Sequence, residues 1–380
     1  MFRVSITIFC FATLLAVAEW WLRGNLFDFV SYSNSESIDD QISQRDVEGD
    51  WTMLFVGDSE TRWGIHPAEI DEAFEQQGIN IKSFNHAFDG FGGSWWVELL
   101  PPLLEQPALQ KVEVVVLGVQ LTAGYGTIEK PSDNCGALQK PVLTSPLAID
   151  LGVDSLCRNY DWDTRLGRQV FNGLWTVRYA SSVRSLLLPS SVFAPQGLRF
   201  NSAKNGEPYR GFSPHSSIAD NKEAYEGEFM RWKAQYNPER HFVPLPEDLW
   251  PNLTGKDGFF DRLNNVVVSS GRRLALFALP TNPVVIDTFN RRGDYHRNSK
   301  LLADWANNNG VTYIDLGIRD VEEPDIYFSD MRHLSDQGAR SFSRILGNAL
   351  ASKYLPRSSG KSMADRGNDL GKLSSAKNSP

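Results

Sequence analysis

Ser59 follows Gly57 and Asp58 directly after a hydrophobic run, "WTMLFVG", residues 51–57. A serine hydroxyl attacks a carbonyl only when a base stands within hydrogen-bond reach and donors await the oxyanion. Gly57 allows a tight turn off a strand. That turn sets Ser59 near the N-terminus of the next helix, whose dipole favours developing negative charge. The same place suits a plain helix cap, so Ser59 alone decides nothing. Asp330 and His333 stand three apart in "SDMRHLSDQG", between the last strand pattern and the last helix. An aspartate so placed accepts from one imidazole nitrogen and fixes the tautomer, leaving the other nitrogen to take a serine proton. Two further loops follow strand patterns: "NHAFDG", Asn85 to Gly90, and "LGVQL", Leu117 to Leu121.

Five strand-like runs must carry these residues. They lie at 51–57, within 79–88, at 111–119, within "GRRLALFALP", and at 311–317. The run 111–119 is short, β-branched and nearly continuous, the pattern of a strand covered on both faces of a parallel sheet. Helical patterns alternate with the strands. One starts at Pro67 and stops at Gly78, another is "SWWVELLPPLLEQ" with Pro101 and Pro102 interrupting it, and "SDQGARSFSRILGNALASKYL" closes the series. Strands alternating with helices predict an α/β fold with an open parallel sheet and right-handed crossovers. Ligands bind such sheets outside the carboxyl ends of the strands, where the Ser59, Gly90 and Gly118 regions all fall. Between Leu121 and Thr254 the alternation stops among turns, aromatics and prolines, which predicts a large insertion or lid lobe.

The four blocks in this order resemble those of the SGNH, or GDSL-type, hydrolase superfamily. Gly57-Asp58-Ser59 matches the first block. Asn85 through Gly90 matches the second, with Ala87 at the middle glycine, and Asp330 with His333 matches the last. The third block departs: Gly118-Val119-Gln120-Leu121 stands where the family has Gly-x-Asn-Asp. The resemblance covers 51–120 and 255–354 and implies a three-layer, flavodoxin-like parallel sheet. It implies Ser59 as nucleophile, His333 as base and Asp330 as its orienting carboxylate. The Ser59 and Gly90 N–H groups would be oxyanion donors, and Gln120 would stand in for the family's asparagine as the third. Asp58, Arg62, Asn85 and His86 are the neighbours expected to line the substrate cleft. For Arg62 and Trp63, packing within the loop is the competing reading. For His66 it is a polar turn residue, and Asp89 reads as a turn cap. The wording "GDSETRWGIHPAEID" is further similar to a membrane-anchored bacterial branch linked to O-acylation of cell-surface polymers. That branch often places its Asp-His pair before the serine, whereas here it follows, as in ordinary esterases.

The first 23 residues carry Arg3 and then an apolar run from Val4 to Leu22, broken only by Ser5, Thr7, Thr13 and Glu19. About 20 apolar residues span a bilayer as a helix, and Trp20 and Trp21 suit an interfacial belt. Ala16-Val17-Ala18 also fits a signal-peptide cleavage site, so 1–23 reads as an anchor or a leader. Either way the rest of the chain leaves the cytosol. Residues 24–50 read as a polar spacer, 121–254 as the insertion, and 355–380 as a disordered tail. In an exported chain Cys135 and Cys157 suit a disulfide. The net charge is −8 and Lys and Arg do not cluster, which argues against a nucleic-acid partner. No spacing of Cys, His or carboxylates suggests a metal, and no cofactor is expected. Trp162, Trp175, Trp232 and Trp250 suit either sugar stacking or the lobe's own core. Asn252-Leu253-Thr254 is a glycosylation sequon by pattern only.

The sequence therefore leads to two expectations of different class. The first is a membrane-anchored, extracytoplasmic serine esterase or O-acyltransferase acting on an acylated carbohydrate or polymer. The second keeps the fold but not efficient chemistry, and binds glycan or a membrane partner.

Overall fold

The computed structural model describes residues 9, 10, 12–21, 45, 49–88, 93–122, 210, 248–288, 291–316, 324–330 and 332–354. Five strands form one parallel sheet: β1 Met53–Val56, β2 Ser83–Asn85, β3 Val114–Val119, β4 Arg273–Ala278 and β5 Thr312–Ile314. Their spatial order is β2-β1-β3-β4-β5. The chain order reverses between β1 and β3, so a crevice opens at their carboxyl ends.

Alternate residues of each strand feed two separate cores. Leu54, Val56, Val115, Leu117, Leu274 and Leu276 face one side. There they meet α3 Gly93–Leu104, α4 Leu249–Thr254, α5 Phe259–Ser269, α6 Pro283–Thr288 and α7 Arg292–Asn308. Met53, Phe55, Val114, Val116, Ala275 and Phe277 face the other side, under α2 Pro67–Glu75, α8 Pro324–Tyr327 and α9 Asp336–Tyr354. The result is three layers, helix on sheet on helix. Each fully buried side chain of this size contributes about 1.5–3 kcal/mol. All four β1 residues are buried, so the strand that leads to Ser59 is gripped from both faces.

The proline pair does not interrupt its helix. Helix α3 runs from Gly93 to Leu104 with Pro101 and Pro102 inside it. Trp96, Leu99, Leu100, Leu103 and Leu104 are all buried. Their summed burial exceeds the roughly 6 kcal/mol that two interior prolines cost. The Trp250 side chain belongs to the sheet's core. Its ring lies 6.2 Å from that of Phe260, beside buried Leu253. Trp250 is therefore a core residue, but of the sheet's core and not of a separate lobe, although the sequence assigned its segment to the insertion. Trp162, Trp175, Trp232, Cys135 and Cys157 lie outside the described residues. At the sheet edge, the Arg210 carbonyl accepts from the Asn85 N–H at 3.0 Å, and its guanidinium pairs with Asp71. Residues 9, 10 and 12–21 are helical, and Phe9, Leu14, Val17 and Trp20 are exposed. Among the described residues no helix is long and apolar enough to cross a membrane.

Candidate active site

Beyond β1 the chain makes a short helix that sequence patterning missed, α1 Ser59–Gly64. Asp58 is its N-cap, and its Oδ1 accepts from the Glu60 N–H at 3.0 Å and the Thr61 N–H at 3.4 Å. Ser59 is thus the first helical residue, in the turn whose N–H groups have no intrahelical acceptor. The approach to this turn depends on two glycines. Gly57 has φ +155°, and a Cβ there would lie 2.1 Å from Thr61 Oγ1. A Cβ on Gly118 of β3 would meet the same oxygen at 2.3 Å. Only hydrogen at both positions lets α1 sit down on the carboxyl ends of β1 and β3.

The base arrives from the other end of the chain. Phe328 and Leu334 pair as an isolated antiparallel bridge, and the Ser329 N–H donates to the His333 carbonyl at 2.9 Å. Inside this small hairpin Asp330 Oδ1 accepts from the N–H groups of Arg332 at 2.7 Å and His333 at 2.8 Å. Ser335 pins the hairpin to α9. Its hydroxyl donates to the Ile326 carbonyl at 2.6 Å and accepts from the Gly338 N–H at 3.1 Å. His333 is therefore aimed by its backbone before its side chain forms any bond.

The hydrogen-bonded line then closes. His333 Nδ1 lies 2.7 Å from Asp330 Oδ2, and His333 Nε2 lies 2.8 Å from Ser59 Oγ. Burial raises the Asp330 carboxyl, but the hydrogen bond and charge of His333 with the two backbone N–H groups outweigh it. The carboxyl is held below its ordinary value. An ionised Asp330 is what keeps the proton on Nδ1 and frees Nε2 as acceptor. The Trp63 ring lies 4.0 Å from the His333 ring at an interplanar angle of 36°. Trp63, whose sequence context suits either the substrate cleft or packing of its own loop, covers one face of the imidazole.

Two residues expected at the substrate are occupied with other work. Asn85 is fully buried, and its Nδ2 donates to the carbonyls of Thr61 at 3.0 Å, Arg62 at 3.2 Å and Ile65 at 2.9 Å. Its Oδ1 accepts from the Ala87 N–H at 3.2 Å. These bonds close the carbonyl end of α1, which a six-residue helix cannot satisfy itself. Asn85 therefore supports the Ser59 helix from below. His86 is also fully buried, with ring centroids 4.7 Å from Phe88, 6.0 Å from Phe84 and 6.4 Å from Trp96. Neither of its ring nitrogens has a hydrogen-bond partner among the described residues. Burial, with Arg45 nearby, pushes its pKa well down, so the ring is neutral. Arg62 is buried too. Asp58 serves as the helix cap, and burial raises its carboxyl against the opposing N–H bonds of Thr61 and Glu60. His66, expected at a polar turn, is buried at the start of α2, and its N–H donates to Ser343 Oγ at 2.8 Å.

No model of a known protein family matches the chain, and a search of curated proteins finds no match either. The site must therefore be read from its geometry.

Gly90 and Asp89 lie outside the described residues. Gln120 directly follows β3 beside the crevice, and its Nε2 donates to Glu60 Oε1 at 2.5 Å. Sequence patterning did not single out Glu60. It is only 7 % exposed. Among the described residues no group of three or more His, Cys, Asp or Glu is placed to hold a metal ion. The arrangement can deprotonate a serine hydroxyl beside a helix N-terminus, with a side-chain amide close by.

Proposed function

We propose that this chain is an SGNH-type serine esterase or O-acyltransferase acting on ester-linked acyl groups of a cell-surface carbohydrate or polymer. The observation that carries the reading is the unbroken line from Asp330 through His333 to Ser59 at the carboxyl end of β1. Ser59 Oγ attacks the ester carbonyl while His333 Nε2 takes its proton. The tetrahedral oxyanion sits against the first turn of α1. Collapse breaks the ester C–O bond, and His333 returns the proton to the departing alcohol. Water or a sugar hydroxyl then attacks the Ser59 ester, again with His333 as base, and Ser59 is regenerated. Water makes the chain an esterase, and a sugar hydroxyl makes it a transferase. In this reading the N-terminal segment anchors the protein, with the catalytic domain outside the cytosol. The outward-facing Phe9, Leu14, Val17 and Trp20 support that placement.

The test is hydrolysis of a short-chain aryl acetate by the full-length chain beside Ser59→Ala. Turnover that vanishes in the variant is the expected result. Equal rates in the two proteins would sink the reading. One observation favours the second reading, a glycan-binding protein of the same fold with weak chemistry. Gln120 replaces the family's asparagine, and one of its N–H groups is engaged by Glu60. Glycan binding that survives in a protein without esterase activity would mark that case.

A further inference from the structure

Among the described residues Glu60 is the one buried carboxylate at the crevice that the proposed reaction leaves unused. It stands directly after Ser59, on the helix that carries the nucleophile. Its partner comes from the neighbouring strand. Val56 pairs with Leu117 in the parallel register of β1 and β3. Ser59 and Gln120 therefore each lie three residues beyond one paired position, at the carboxyl ends of adjacent strands. The Gln120 amide carries two N–H groups, and Glu60 takes one of them.

We infer that Glu60 is a positioning residue: by holding one N–H of Gln120 it turns the other toward the oxyanion that Ser59 generates. The inference rests on the Ser59 reading above. A glutamine at this place has one more rotatable bond than an asparagine and reaches further. Unrestrained, it would point its donor in many directions and lose that freedom only on reaction. The bond to Glu60 removes the freedom beforehand. The carrier of Glu60 is itself fixed, because Thr61 is wedged against Gly57 and Gly118. The charge state also suits the task. Burial, reinforced by Asp58 and Asp330 and opposed by Arg332, pushes the Glu60 carboxyl well above its ordinary range. A carboxyl that resists ionisation accepts the amide with less negative charge set beside the oxyanion.

The experiment is steady-state kinetics of the full-length chain on an aryl acetate, with melting temperatures measured alongside. The variants are E60A, Q120A, the double variant E60A/Q120A, and E60Q. Loss of one oxyanion donor lowers kcat by about 10²–10³-fold. The expected result is a fall of that order in both single variants with KM nearly unchanged. The double variant is then no slower than Q120A alone, because Glu60 acts through Gln120. E60Q recovers most of what E60A loses, since its carboxamide oxygen accepts the same N–H. E60L, which fills the same buried volume, replaces E60A in the cycle if E60A does not fold. Losses that multiply in the double variant overturn the inference, as does an E60Q no faster than E60A. Wild-type turnover that is unaffected by Ser59→Ala overturns the triad reading, and this inference with it. That outcome is distinct, because it is seen before any Glu60 variant is compared.

Discussion

His333 and His86 both sit just beyond the carboxyl end of the sheet, each among aromatic rings, and they are put to opposite uses. The His333 ring has a directed partner on each nitrogen, Asp330 on one side and Ser59 on the other. Trp63 covers a face, and the side chain is still 16 % exposed. His86 is fully buried and has no hydrogen-bond partner on either nitrogen among the described residues. Burial, with Arg45 nearby, makes His86 a neutral packing element beside Phe88 and Trp96. Partners on both nitrogens, with one side open, equip His333 for the base role proposed above. The number and direction of hydrogen bonds, more than depth, separates a reactive imidazole from an inert one in this fold.

Replacing each ring tests that contrast most sharply. His333→Ala is expected to lower kcat on an aryl ester by roughly 10⁶-fold, the scale of losing one member of a serine triad. His86→Leu is expected to stay within a few-fold of wild type in the same assay. Comparable losses in both variants would break the comparison.

The second test uses acid. His86 and His66 are both held neutral, His66 by burial and by Arg340 against the pull of Glu69 and Asp336, which brings its pKa to about 4. The folded protein refuses protons that the unfolded chain accepts near pH 6.5. Stability from these rings is therefore complete above pH 6.5 and is lost as the pH falls below it. For His66 the loss extends to about pH 4 and amounts to about 3 kcal/mol. Urea midpoints at pH 7.5 and pH 4 measure it. His86→Leu is expected to lose less stability on acidification than wild type, and equal losses would mean that His86 is not held neutral.

The smallest effect concerns the face of His333. Aromatic contacts of the Trp63 kind contribute about 0.5–1.5 kcal/mol beyond area. Trp63→Leu is accordingly expected to slow kcat by roughly 2–12-fold with KM unchanged. A change confined to KM would place Trp63 at the substrate instead.

These contrasts were unevenly legible in the sequence. The five strands and their parallel arrangement were readable because runs such as "VVVLGV" are β-branched and short, with no polar face. Ser59, Asp330 and His333 were readable because their types and their places after strands matched one chemistry. Helix α1 was not readable. Six residues are too few to show a helical period, and its ends are closed by Asp58 and the distant Asn85. Asn85 and His86 were assigned to the cleft because polar residues in a loop after a strand look available. Nothing local reveals that Asn85 faces three carbonyls of α1, or that His86 lies under Phe88. Glu60 was invisible for the converse reason: its burial depends on α1 lying over β3, which depends on glycines at 57 and 118.

The two halves of the hydrogen-bonded line are 274 positions apart in the chain. A ribosome therefore exposes Ser59 long before it makes His333, and the hairpin around His333 is pinned by the helix that follows it. Every nascent polypeptide that has not reached residue 333 holds a serine with no base. Under the function proposed here, ester chemistry cannot begin before that residue is made, and fragments cut short of it are born inert.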